Sequence, residues 1–163
     1  MRFTLIDKVV ELEAGKRIAA IKNLSLAEEY LADHFPGFPV MPGVFMLEAM
    51  TQASAWLIRA SEDFAHSNVT LKEARNVKYA NFVEPGQQLR ITAEILSQDE
   101  RETKLKTQGT VGEIQVVSAR LVLERYNLSD QDPAHALTDQ VLTHKMRELF
   151  AILYKAPVAA TSA

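Results

Sequence analysis

The stretch "GVFMLEAMTQASAWLIRA", residues 43–60, constrains the fold more than any other part of the chain. It runs for about five helical turns without a breaker, and Pro42 suits the first turn of a helix. Val44, Phe45, Met46, Leu47, Ala49, Met50, Ala53, Trp56, Leu57 and Ile58 fall on nearly every face. A helix that is apolar all round must be covered all round. It cannot find that cover in a bilayer, because it is too short and carries Glu48, Gln52 and Arg59.

The rest of the chain offers strands as the cover. "DKVVELEAGKRIAAIKN" places two β-prone runs about Gly15, the pattern of a hairpin. "SLAE" at Ser25 to Glu28 matches a capping box and predicts a short helix to about Leu31. After the long helix come "TLKEARNVKYANFV", "QLRITAEILS", "ETKLKTQGTV" and "EIQVVSARLVLERY". In the second of these, Leu89, Ile91, Ala93 and Ile95 alternate with Arg90, Thr92 and Glu94, as in a strand with one buried face. Short punctuation at Pro85-Gly86, Gln98 to Glu100 and Val111 to Glu113 predicts antiparallel connections in a four-strand meander. A change of alternation between Ile114 and Ala119 predicts a bulge.

The expected class is therefore α+β, one curled antiparallel sheet around a long central helix. Residues 1–126 form this domain. Residues 127–163 are read as an extension: a linker at "NLSDQDPAHA", an amphipathic helix with Leu142, Met146, Leu149 and Leu153 on one face, and a frayed tail from Pro157.

Composition narrows the partners. With 18 basic and 21 acidic residues the net charge is -3 and no basic block is present, which argues against nucleic acid or an anionic membrane surface. The chain has no cysteine, so thiol nucleophiles and sulfur metal ligands are excluded and a reducing cytoplasm is the expected setting. The N-terminus does not read as a signal peptide. No metal site is expected, since His34, His66, His135 and His144 show no ligand spacing with acids.

The chemistry concentrates in "DHFPGFPVMPGVFMLEAMTQ", residues 33–52. Pro36, Pro39 and Pro42 each fix φ, so the loop from Phe35 to Met41 is irregular and stiff. His34 has the side chain suited to a general base near neutral pH. Glu48 and Gln52 lie four residues apart on one helix face; a buried Glu48 must find a donor or cation, or stay protonated and serve as an acid. Between them the N–H of Gly43 or Val44, at a helix start, offers a donor to a negative oxygen. Each feature alone reads as a cap, a turn or core. Together, at the entry to a buried helix, they suit acid–base chemistry on an oxyanion.

The spaced motif His34-Phe35-Pro36-Gly37, Pro42-Gly43-Val44, Glu48-Ala49 and Gln52 resembles the active-site segment of FabZ-type 3-hydroxyacyl-acyl carrier protein dehydratases. The resemblance spans roughly Phe3 to Tyr126, and FabA-type relatives carry aspartate where this chain has Glu48. It implies the hot-dog fold and elimination of water from a 3-hydroxyacyl thioester. His34 and Glu48 would be catalytic, the Gly43 N–H would polarise the thioester carbonyl, Gln52 would orient Glu48, and Phe35, Val44 and Phe45 would line the acyl tunnel. No cofactor is implied beyond the phosphopantetheine arm of acyl carrier protein. The implied partners are that carrier and a second copy of the chain, in a homodimer with shared sites, three dimers to an assembly.

Three departures stand out. Asp33 replaces the usual glycine and is expected to point to solvent. Ala80, Asn81 and Phe82 stand where relatives carry basic residues for carrier docking, leaving Lys72, Arg75 and Lys78 as substitutes. The terminal helix is the third. The alternatives from other classes are a hot-dog acyl thioesterase, with Glu48 activating water, and a non-catalytic acyl-binding subunit.

Overall fold

In the computed structural model, which describes residues 3–155, six strands form a single antiparallel sheet: β1 Lys8–Glu13, β2 Arg17–Asn23, β3 Asn68–Tyr79, β4 Gln88–Gln98, β5 Glu102–Val111 and β6 Ile114–Tyr126. The tail expected to fray from Pro157 lies outside the described residues. The spatial order is β1-β2-β4-β5-β6-β3. Only β4, β5 and β6 form a meander; β3 crosses to the far edge and pairs with β6, from Asn68 opposite Tyr126 to Tyr79 opposite Val117. The expected four-strand meander is corrected accordingly. Its physical reason is the helix: β2 and β4 pair beside each other, which leaves the far side of β6 as the free edge for β3.

The helix α1, Gly43–Ser61, packs against β2 through β6. Met46, Ala49, Met50, Ala53, Leu57 and Ile58 are each at most 2% exposed, and opposite them β4 turns in Leu89, Ile91 and Ala93. Each large side chain buried this way contributes about 1.5–3 kcal/mol. The β1–β2 turn uses Gly15 at φ 75°, a left-handed backbone that glycine adopts without a Cβ clash. The predicted bulge is present: Gly109 opposes Val117 while Thr110 opposes Gln115, so Val116 is the extra residue and its carbonyl accepts Ala80 N–H at 2.8 Å.

The capping box at Ser25 does not form. Ser25 Oγ accepts from Ala27 N–H, a single 3-10 turn spans Glu29–Leu31, and Glu28 reaches instead to Lys22 Nζ at 2.6 Å. A buried ammonium needs a partner more than an exposed N–H does, and Lys22 is 6% exposed.

After β6, two 3-10 turns lead into α2, Ala136–Leu153. Its inward face is the predicted one, with Leu142, Met146 and Leu149 partly buried and Leu153 buried. Phe150 meets Trp56 of α1 at 5.6 Å between ring centroids. At the other end Asp139 clamps three segments at once, accepting from Ser67 Oγ and from the N–H groups of Leu128 and Ser129. Burial alone would raise the Asp139 carboxyl, but hydrogen bonds from Ser67, Ser129 and Leu128 outweigh it and hold the group well below the usual carboxylate range. Among the described residues no helix is long and apolar enough to cross a membrane.

Candidate active site

His34 sits at the end of the 3-10 turn, where its N–H donates to Tyr30 O at 3.2 Å. Phe35 follows at φ 50°, an uncommon conformation for a bulky residue. It is held there by the Phe38 N–H to Phe35 O bond at 2.7 Å and by the Phe35 ring against the His34 imidazole, 4.4 Å between centroids. A left-handed aromatic costs about 1–3 kcal/mol and persists because its surroundings over-determine it. The Phe35 ring is the aromatic neighbour of the His34 imidazole, and no side-chain hydrogen bond orients that imidazole among the described residues. Asp33 is exposed, as expected.

At the start of α1 the N–H groups of Gly43 and Val44 have no acceptor among the described residues, while Phe45 N–H already closes on Pro42 O at 2.9 Å. Two free donors therefore point out of a helix start. The absence of a side chain at Gly43 matters: a Cβ there would stand 3.1 Å from Cε1 of Tyr79.

One turn further on, Glu48 Oε1 accepts from Gln52 Nε2 at 2.9 Å. Gln52 is itself tied to the N-terminal segment, accepting Leu5 N–H at 2.9 Å and donating to Phe3 O at 3.1 Å. Glu48 was expected to be buried; within one chain it is exposed, and Val44 on the same face is 65% exposed. The covering of α1 is thus incomplete over its first two turns. His34 makes no hydrogen bond to Glu48 within the chain, and it does not line the cleft that Glu48 lines.

The expected tunnel residues separate. Phe35 is 57% exposed, Val44 is exposed, and Phe45 packs between Phe3 at 4.8 Å and Tyr30 at 4.7 Å. A cleft of about 210 Å³ opens elsewhere, between α1 and α2. Glu48, Gln52, Trp56 and Arg59 line one wall and Met146 and Leu149 the other. Trp56, Arg59, Met146 and Leu149 were not singled out as site residues. Helical periodicity carries a signal for Arg59, since positions 48, 52, 55 and 59 share one face of α1, but none that Met146 and Leu149 on α2 would face it.

Of the cations considered for docking, Lys72 pairs with Glu102 at 2.5 Å and Arg75 with Glu73 at 2.6 Å, while Lys78 has no ion pair among the described residues. Phe38 and Phe82, both about half exposed, pack edge to face at 5.5 Å beside this loop. No group of three metal-ligating side chains occurs among the described residues.

Residues 1–120 match the model of the FabA-like domain. The chain belongs to the FabA-like family. Within the family it resembles the FabZ-type members. It is 39% identical over 116 residues to the 3-hydroxyacyl-[acyl-carrier-protein] dehydratase FabZ of Pediococcus pentosaceus, covering 71% of this chain and 78% of that one. To the FabZ of Thiobacillus denitrificans it is 44% identical over 97 residues, 58% of this chain and 67% of that one. Among solved structures, the dehydratase heterocomplex ApeI:P of Xenorhabdus doucetiae superposes with a TM-score of 0.65 at 21% identity, over 82% of this chain and 90% of that one. That likeness agrees with the hot-dog arrangement of sheet and central helix. The family match ends in β6, so α2 lies beyond it.

Proposed function

We propose that this FabA-like chain removes water from (3R)-3-hydroxyacyl-acyl carrier protein, giving the trans-2-enoyl thioester, in fatty acid or related lipid biosynthesis. The observation that carries the reading is Glu48 held by Gln52 on an open helix face, one turn from the free N–H groups of Gly43 and Val44. The family match and the FabZ relatives support it.

The steps follow from the groups. The thioester carbonyl accepts the Gly43 N–H, which stabilises negative charge on its oxygen as C2 loses a proton. His34 takes that proton. The electron pair becomes the C2–C3 double bond, the C3–O bond breaks, and the hydroxyl leaves as water with a proton from Glu48. His34 gains a proton and Glu48 loses one, so exchange between them and water resets the site. No cofactor takes part; the phosphopantetheine arm of the carrier delivers the substrate.

A homodimer completes the site. His34 and Glu48 do not bond within one chain, and Phe35, Phe38, Val44, Tyr79 and Phe82 are 47–65% exposed around them. Such a patch suits a second copy, whose His34 loop would cover the first copy's Glu48. Three such dimers and a cytoplasmic setting belong to the same reading, with Lys78 meeting the acidic carrier.

The test mixes the purified protein with 3-hydroxyacyl carrier-protein thioesters and follows enoyl absorbance and free thiol, beside His34→Ala and Glu48→Gln. Enoyl product that falls about 10²–10⁴-fold in each variant supports the assignment. Free thiol without enoyl product would transfer the site to thioester hydrolysis, and binding without turnover to an accessory role.

A further inference from the structure

The cleft between α1 and α2 begins at the proposed acid and is roofed by residues beyond the family match. Along α1, Glu48 and Arg59 are separated by ~16 Å of helix rise, at 1.5 Å per residue. Both side chains lean toward the helix N-terminus, so the separation is kept at the level of the cleft. Between them the lining is mainly apolar, with Ala55 and Trp56 on α1, Val69 on β3 and Met146 and Leu149 on α2, interrupted by Thr51 and Gln52 near the Glu48 end. An apolar groove starting at a catalytic carboxyl suits the hydrocarbon part of an acyl thioester. The cleft's 210 Å³ is small beside the ~300–1,000 Å³ of pockets that enclose whole ligands, so it admits the tail of a short chain.

The inner end is polar. Arg59 Nε is buried and has no hydrogen-bond acceptor, and the guanidinium carbon lies 5.7 Å from the Trp56 ring centroid. Burial lowers the Arg59 pKa to about 10, and the group stays cationic at neutral pH. Among the described residues Arg59 has no ion-pair partner. A methyl group pressed against the part of the guanidinium that is still open would strip water from a cation that has no such partner to replace it, which is costly.

The roof is held in place. Asp139 clamps the start of α2, Phe150 packs between Trp56 and Phe64, and Arg147 donates to Asp63 Oδ1 at 2.7 Å while lying over the Phe64 ring. Met146 and Leu149 sit between these attachments.

We propose that α2 and Arg59 form a length stop for the acyl chain, with Met146 and Leu149 limiting its path and the Arg59 guanidinium rejecting a terminal methyl that reaches it. This rests on the dehydratase reading for the substrate class, and it selects short chains over long ones.

The experiment compares kcat/KM for 3-hydroxybutyryl and 3-hydroxyhexadecanoyl pantetheine thioesters in the full chain, in Arg59→Met, Leu149→Ala and Met146→Trp, and in His144→Ala as a control on the exposed face of α2. Arg59→Met and Leu149→Ala should raise the long-to-short ratio by about tenfold or more, and Met146→Trp should lower it. The control should leave it unchanged. Melting temperature and oligomer size are recorded for each, since loss of packing alone lowers both rates together and leaves their ratio in place. If the ratio stays within twofold of wild type in the variants that fold, or if wild type prefers the long chain, the stop is overturned. If wild type dehydrates neither substrate, the dehydratase reading fails instead. Calorimetric binding of the same two thioesters then decides the stop, by whether the variants shift relative affinity in the same directions.

Discussion

Gln52 donates from Nε2 to Glu48 Oε1 at 2.9 Å. The same amide is fixed on its other sides by Phe3 O and Leu5 N–H, so its orientation is set by the backbone of the N-terminal segment. Glu48 is therefore aimed by residues far from it in sequence.

Gln52→Leu keeps the volume and removes the aim. Dehydration should show kcat lowered about 10²-fold, the cost of misplacing a reacting group by about 1 Å, with KM nearly unchanged. Leu5 N–H loses its acceptor at the same time, for about 1–3 kcal/mol of stability. Equal changes in kcat and KM would mean that Gln52 serves substrate binding.

Gly43→Ala tests the close approach to Tyr79. A Cβ at 3.1 Å from the ring must displace either Tyr79 or the amide of residue 43. A displaced amide lowers kcat by about 10²-fold, and adding Tyr79→Ser should restore most of it. No rescue in the double variant would place the defect in the glycine backbone itself.

Lys22 and Glu28 form a buried pair at 2.6 Å, with side chains 7% and 23% exposed. Glu28→Ala leaves the ammonium with only Asp7, at 3.6 Å, and should lower stability by about 3 kcal/mol in denaturant melts. Lys22→Met with Glu28→Leu should recover much of that loss, because no charge is then left buried.

Asp139 should give the protein an acid limb. Its folded carboxyl lies below the usual value, so the stability it contributes is complete above about pH 4 and is lost as pH falls from there. Asp139→Asn should melt several degrees lower at neutral pH, with a shallower decline in acid. Parallel declines for the two proteins would remove Asp139 as the cause.

Much of this architecture is legible in residue order. The run from Val44 to Ile58, apolar on nearly every face, demands a cover, and the alternation at Leu89 to Ala93 in β4 and the bulge near Val116 in β6 are both found in the strands. The position of β3 is not legible, because strand order depends on which edge is free, and local pattern carries no such information. Ser25 fails as a cap because Glu28 serves Lys22, a competition that only the tertiary structure sets up. For the candidate site, residue chemistry singles out His34, Gly43, Glu48 and Gln52, and of these the structure joins Glu48 to Gln52 within one chain; residue chemistry gives no signal for the cleft that Arg59 and Met146 line. The face of α2 is written in its periodicity, but what that face covers is not. Glu48 is exposed because, among the described residues, no element of its own chain covers that face of α1 over its first two turns, which local pattern does not announce either.

The crossing of β3 to the far edge also sets an order of events. Residues made early, Asn68 to Tyr79, find their hydrogen-bonding partners only in β6, which is made much later. A chain folding as it emerges holds this twelve-residue strand unpaired until then. In ribosome-bound chains that stop before β6, hydrogen exchange should leave Asn68 to Tyr79 unprotected; protection there would rule out that delay. Lys72, Glu73, Arg75 and Lys78 then have a use that precedes the native state, keeping a waiting strand from pairing with the wrong neighbour.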